Sequence, residues 1–263
     1  MSRSGTGSTG GVPAGTPPAA TRAPSGAETE APDAGAGGVA STATADPDEP
    51  GAAGSAAGAA PGAATAALGE LWLIRHGETE WSLARRHTGR TDVPLTPYGE
   101  RQAKALAPLA GRLRPALVLV SPRQRAARTA ELAGLRDPKV DDDLAEWDYG
   151  EYEGITTPEI RRDRPGWTIW TGDPPGGESA DEIRRRADRV LERVHEALPR
   201  GDVVVVGHGH LGRVLAARWL GLDVAGGRLF ALEPASPCLL GTEHGYPVVH
   251  RWNLPNPAGE EYT

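Results

Sequence analysis

The chain has one cysteine, one methionine and one phenylalanine in 263 residues, and no apolar run near the length of a membrane span. With Cys238 alone there is no internal disulfide framework, which fits a reducing compartment. The N-terminal stretch carries Arg3 and Arg22 but no apolar centre, so it does not read as a secretory signal. A cytoplasmic location is the expectation. Excess basic charge is missing too: the formal net charge is −7. Glu28, Glu30, Asp33, Asp46, Asp48 and Glu49, set against two arginines, carry about −4 of it and leave about −3 for the rest. A mildly acidic body favours neither nucleic acid nor a membrane surface as partner, so its arginines must act locally.

Gly, Ala, Ser, Thr and Pro supply 57 of the first 70 residues. Such a segment cannot bury enough apolar surface to offset its ordering entropy, and 1–68 reads as a disordered leader. Residues 69–254 have the size of one ordinary domain, and 255–263 read as a flexible tail. Within the domain, Leu71–Ile74, Ala116–Val120 and Val203–Val206 read as buried parallel strands. A helix opens at Thr96-Pro97 and runs to about Leu113, kinked or shortened by Pro108. Another covers about Arg123 to Leu132, stopped by Gly134, and a short strand lies near Val140. Ser179 to Glu182 has capping-box spacing and starts the best helix, with Ile183, Ala187, Val190, Leu191, Val194 and Leu198 on one face and arginines opposite. A helix from about His210 to Leu220 follows, then strands near 228–232, 237–240 and 247–251. The alternation predicts an α/β class, a three-layer α/β/α sandwich with a mostly parallel central sheet.

Two histidines end apolar strands: His76 in Arg75-His76-Gly77-Glu78-Thr79 and His208 in Gly207-His208-Gly209-His210. In open α/β sheets ligands bind beyond the strand C-terminal ends. A histidine that attacks phosphorus needs one nitrogen neutral and fixed in direction, an arginine supplies a fork for phosphate oxygens, and Gly77 permits close approach. Ser121-Pro122-Arg123-Gln124-Arg125-Ala126 ends another strand and opens a helix, where arginines would complete a phosphate clamp. Glu146, among Trp147 and Tyr149, is a candidate proton donor to a leaving alkoxide. His208, charged or hydrogen-bonding, would stabilise the transferring group. Each block alone also fits a solvated surface, and together they favour phosphoryl transfer through histidine. A metal pair His208/His210 is a further reading, although alternate residues on an extended turn diverge. Gly207 to Gly212 also matches a dinucleotide fingerprint, with Glu233 ending a later strand, but only about fifty residues follow it.

Together these blocks resemble the histidine phosphatase superfamily, also called phosphoglycerate mutase-like, over nearly all of 70–250. The resemblance implies that fold, no cofactor and no resident metal, and a small phosphate ester as partner. Carried over by residue, His76 becomes phosphohistidine, Glu146 donates the proton, and Arg75, Arg125 and His208 hold the phosphoryl group. Thr79, Ser82, His87, Thr88, Tyr149 and Gly209 are the further expected contacts to substrate or phosphate. Leu95 to Glu100, Asp141 to Gly150 and Trp167 to Trp170 are similar to runs in fungal-type sedoheptulose bisphosphatases and actinobacterial phosphatases. Where mutases carry Asn after the Trp of the first block, this chain has Ser82, and it lacks the longer mutase insertion. Both departures favour hydrolysis of a sugar phosphate or bisphosphate over mutase work. Trp167, Trp170 and the turn Pro174 to Ser179 are a lid or wall, or core. A proton donor set beside arginines points to an acid-leaning pH optimum.

Overall fold

The computed structural model describes residues 69–258, so the expected leader 1–68 and the end of the tail lie outside the described residues. In chain order the elements are β1 (Leu71–Arg75), α1 (Glu80–Leu83), α2 (Pro97–Ala105), α3 (Ala107–Arg112), β2 (Leu117–Val120), α4 (Gln124–Leu132) and β3 (Lys139–Val140). Then come α5 (Thr157–Asp163), α6 (Ala180–Ala197), β4 (Val203–Gly207), α7 (Gly209–Trp219), β5 (Pro237–Glu243) and β6 (Tyr246–Arg251).

The six strands form one sheet ordered β3-β2-β4-β1-β5-β6. The first four run parallel, and β5 and β6 add an antiparallel hairpin beside β1. Strand β4 is buried throughout and lies at the centre, which four consecutive valines permit because both faces are covered. Side chains alternate, so Val203 and Val205 enter one core while Val204 and Val206 enter the other. The first core takes Ile183, Val190 and Val194 of α6 and Leu211 and Leu215 of α7. The second takes Leu106 with Ala126, Ala130 and Ala133 from the α2–α4 side. Helices on both faces of a mixed sheet give the α/β/α sandwich.

Local rules hold at most boundaries. Ser179 and Glu182 form a reciprocal capping box, and α6 buries Ile183, Ala187, Val190, Leu191, Val194 and Ala197. The helix expected to Leu113 is two: α2 stops at Ala105 and α3 begins at Ala107, because Pro108 has no N–H to continue the ladder. Gly134, at φ +73°, ends the turn after α4. The hairpin closes through His244 and Gly245, with φ of 52° and 83°, as a two-residue turn of that hand requires.

The strand expected near 228–232 does not form. Residues Val224–Leu229 make a 3₁₀ turn, and both edges of β1 are already taken by β4 and β5. Carbonyls of the following segment instead accept from side chains: Leu232 from Arg75, and Ala231 from Trp252. Glu233 therefore ends no strand, which removes the ribose-binding position from the dinucleotide reading. Among the described residues no helix is long and apolar enough to cross a membrane.

Candidate active site

Parallel register puts the two histidines together. Arg75 pairs with Gly207 across β1 and β4, so His76 and His208 follow side by side, with ring centroids 5.2 Å apart at 66°. Val120 of β2 pairs with Val206, which brings Ser121 to His208.

His76 is 5% exposed. Its Nδ1 lies 2.7 Å from the Gly77 carbonyl oxygen, which accepts and therefore fixes the proton on Nδ1. Nε2 is left with a directed lone pair. Burial first, then the Arg125 and Arg75 cations, hold this imidazole well below its ordinary pKa of 6.5, so it is neutral. His208 has the opposite tautomer: Nδ1 accepts from Arg125 Nε at 3.2 Å, and Nε2 donates to Ser121 Oγ at 2.7 Å. Burial and then Arg125 hold it neutral as well, and both of its ring nitrogens are engaged by protein groups.

Glu146, 8% exposed, is held by three backbone N–H groups. Oε1 accepts from Trp147 and Leu211 at 2.8 Å each, and Oε2 from His210 at 2.9 Å. Two of these belong to the first turn of α7, where unpaired donors and the helix dipole favour an acidic group. Arg75 donates Nη1 to the Leu232 carbonyl at 2.5 Å, and its buried Nε has no partner among the described residues. A Cβ on Gly209 would sit 3.4 Å from Arg75 Nε and 3.8 Å from Glu146 Oε2, so this glycine keeps the space between them open.

A cavity of about 970 Å³ lies over these groups, lined by Arg75, His76, Ser82, His87, Thr88, Glu146, Tyr149 and Gly209 among others. Some of the residues expected at the phosphate do not line this cavity. Arg125, fully buried, spends Nη1 on Thr91 O at 3.0 Å and Nη2 on Thr88 O at 3.0 Å; with His208 it lies behind the lining and positions the 88–91 loop. Thr79 does not reach the cavity either. It is fully buried as the N-cap of α1, in a capping box with Ser82, so its hydroxyl is already used. Gly77 serves the backbone more than a ligand, because a Cβ there would meet the Gly99 carbonyl oxygen at 2.4 Å.

Sequence reasoning missed part of the wall. His210 lines the cavity, accepts at Nδ1 from the Tyr149 hydroxyl at 2.6 Å, and is kept neutral mainly by burial. Since His208 faces Ser121 and His210 faces Tyr149, the two do not converge as a metal pair would. Arg213, one helical turn on, also lines the cavity and lies over Trp170 with its Cζ 4.6 Å from the ring centre. The signal for both was their i, i+3 spacing on a helix that starts at the site. Trp167 and Trp170 are core, packed behind His87 and His210.

A family model matches residues 71–255, which hold the strand-end histidines, the three-donor carboxylate and the open arginine. The chain belongs to the histidine phosphatase superfamily, branch 1. An acid phosphatase of Mycobacterium tuberculosis is 46% identical over 177 residues, 66% of this chain and 87% of that protein. A sedoheptulose 1,7-bisphosphatase of Saccharomyces cerevisiae is 39% identical over 184 residues, 58% of this chain and 68% of that protein. Among solved structures, a mycobacterial glucosyl-3-phosphoglycerate phosphatase in complex with VO3 superposes with TM-score 0.63 at 31% identity, covering 71% of this chain and 99% of that one. This histidine phosphatase is an enzyme that acts on phosphate esters.

Proposed function

We propose that the protein is a phosphomonoesterase of small phosphorylated metabolites, a sugar phosphate or bisphosphate, working through phosphohistidine in the cytoplasm. The observation that carries the reading is the tautomer of His76: its proton is tied to the Gly77 carbonyl, and Nε2 is neutral and aimed. Nε2 attacks phosphorus in line, the N–P bond forms, and the P–O bond to the alcohol breaks as Glu146 protonates the departing oxygen. Water then attacks the phosphohistidine, gives its proton to Glu146, and the N–P bond breaks to release inorganic phosphate. Arg75, with a buried N–H unspent, supplies charge to the phosphoryl oxygens. Arg85, Arg86 and Arg213 on the lining supply positive charge for a second anionic group.

The test is His76→Ala. We expect turnover and the acid-labile, alkali-stable phosphoenzyme to vanish together while the melting temperature holds. Substantial phosphate release by His76→Ala would overturn the scheme. Ser82 in place of the mutase Asn supports hydrolysis, so 3-phosphoglycerate with a bisphosphoglycerate primer should give free phosphate and no isomer.

A further inference from the structure

One wall of the cavity takes no part in that chemistry. Gln102 of α2, 8% exposed, uses Oε1 to accept from the Glu78 N–H at 2.8 Å. Asn253 uses Oδ1 to accept from the Glu233 N–H at 2.7 Å. Ser236, 4% exposed, joins the same wall through its own N–H to the Glu233 carbonyl at 3.3 Å. Asn256 ties the segment down, its Nδ2 donating to the carbonyls of Gln102 at 3.0 Å and Ala235 at 2.9 Å. Each of the first three side chains has one atom committed to the scaffold or none. Gln102 Nε2, Asn253 Nδ2 and Ser236 Oγ have no hydrogen-bond partner among the described residues, and all three residues line the cavity. The Glu233 carboxylate lines it as well, close enough to Arg75 to favour the charged guanidinium.

Amide and hydroxyl groups held open on a cavity wall must be met by water or by a bound group that can hydrogen-bond, and a ligand that covers them without doing so loses affinity. Amide donors beside a carboxylate acceptor match alcohol groups, since each hydroxyl both donates and accepts. A second phosphate here would face the carboxylates of Glu78 and Glu233, and an alkyl chain would strand every polar atom. We propose that Gln102, Glu233, Ser236 and Asn253 read hydroxyl groups on the alcohol portion of the substrate, so the enzyme selects phosphate esters of polyhydroxylated, sugar- or polyol-like alcohols. The inference rests on the phosphatase reading above and adds the substrate's non-phosphate end.

The test compares esters of equal carbon number: sorbitol 6-phosphate against n-hexyl phosphate, and ribitol 5-phosphate against n-pentyl phosphate, with p-nitrophenyl phosphate as a third probe. Gln102→Glu and Asn253→Asp keep the acceptor oxygen that holds the scaffold and remove the free N–H₂ group. Aspartate also tolerates the positive φ of 52° at 253. Ser236→Ala removes the hydroxyl. We expect the wild type to favour the polyol ester in kcat/KM by at least about tenfold, and each variant to shrink that ratio by about tenfold. Because the readout is a ratio, general losses of stability or phosphate affinity cancel. Equal use of the paired esters, or ratios unmoved in all three variants, overturns the inference and leaves the phosphatase standing. So does cleavage of p-nitrophenyl phosphate alone. No phosphate release from any probe overturns the phosphatase reading, and this inference with it.

Discussion

Which ring nitrogen is engaged separates a nucleophilic imidazole from a supporting one. His76 donates from Nδ1 to a carbonyl and keeps Nε2 free, whereas His208 has both nitrogens occupied by Arg125 and Ser121. Burial and two arginines push the His76 pKa down, so the nucleophile loses its lone pair to a proton only when pH falls through that lowered value. The acid limb of kcat/KM should therefore lie below pH 6.5; a limb centred at or above 6.5 would show that His76 is not shielded. For Glu146→Gln, one oxygen remains for the Trp147 and Leu211 N–H groups but the carboxyl proton is gone, so kcat on an alkyl or sugar phosphate should fall about 10²–10⁴-fold. A p-nitrophenolate leaving group needs no proton, and its phosphorylation step should fall far less; equal losses would move Glu146 out of the proton-donor role. Of the expected site residues, Arg75 and His76 end an apolar strand and Glu146 stands among aromatics in a loop, local signals legible without coordinates, and all three line the cavity. Thr79 was misplaced because it caps, with Ser82 at the third position, a helix too short to announce itself, and Arg125 because its carbonyl partners lie more than thirty positions away.

At the level of elements, the loop carrying Glu146 belongs to no strand and is held from outside by α6. Arg186 forks onto Glu178 at 2.6 and 2.7 Å and reaches the carbonyls of Asp143 and Ala145 at 2.8 and 2.5 Å. Glu178 in turn accepts at its carbonyl from Trp147 Nε1 at 2.7 Å, so both neighbours of Glu146 are clamped. Arg193 and Arg189 add ion pairs to Asp141 and Asp143. The Arg186 and Glu178 side chains are 11% and 13% exposed, so Arg186→Met should cost about 3 kcal/mol and lower kcat more than it raises KM. By contrast Arg184→Ala, which breaks exposed pairs to Asp181 and Asp188, should shift stability by less than about 0.5 kcal/mol. Denaturant melts and steady-state kinetics on the two variants check both; equal effects would mean the clamp is only another surface contact. In the sequence the α6 arginines read as a solvated face, and the acidic stretch from Asp141 as a loop, because local pattern does not pair residues over forty positions apart. The elements themselves were legible where the local pattern was strong, as in the apolar runs of β1 and β4 and the capped, periodic α6. The segment near 228–232 had strand-like composition, but occupancy of the sheet edge is a property of the whole chain order.

For the molecule as a whole, the same burial that readies the site makes it sensitive to acid. His76, His87, His208 and His210 are all held below 6.5, each chiefly by burial, and His87 is pushed down to about 4. His87 packs tilted on Tyr149 at 4.6 Å and meets Trp167 edge-on at 5.6 Å, a setting that shuts water away from an imidazolium. When pH falls below 6.5 the unfolded chain binds protons that the folded one refuses, so stability declines from 6.5 downward and levels off for a given histidine only below its folded pKa. For His87 that window runs from 6.5 to about 4 and carries on the order of 3 kcal/mol. Urea midpoints should therefore drop steadily from pH 7 to pH 5, and His87→Gln, which cannot titrate, should flatten the slope even if it lowers stability at pH 7. Midpoints unchanged over that range would mean that the imidazoles take up protons in the folded state, which would also remove the basis for a neutral His76. Catalysis and stability thus pull apart below neutrality: the nucleophile stays competent in mild acid while the fold that shields it weakens. Phosphate, bound only by the folded site, should offset that loss by about 2.7 kcal/mol at a hundred times its dissociation constant.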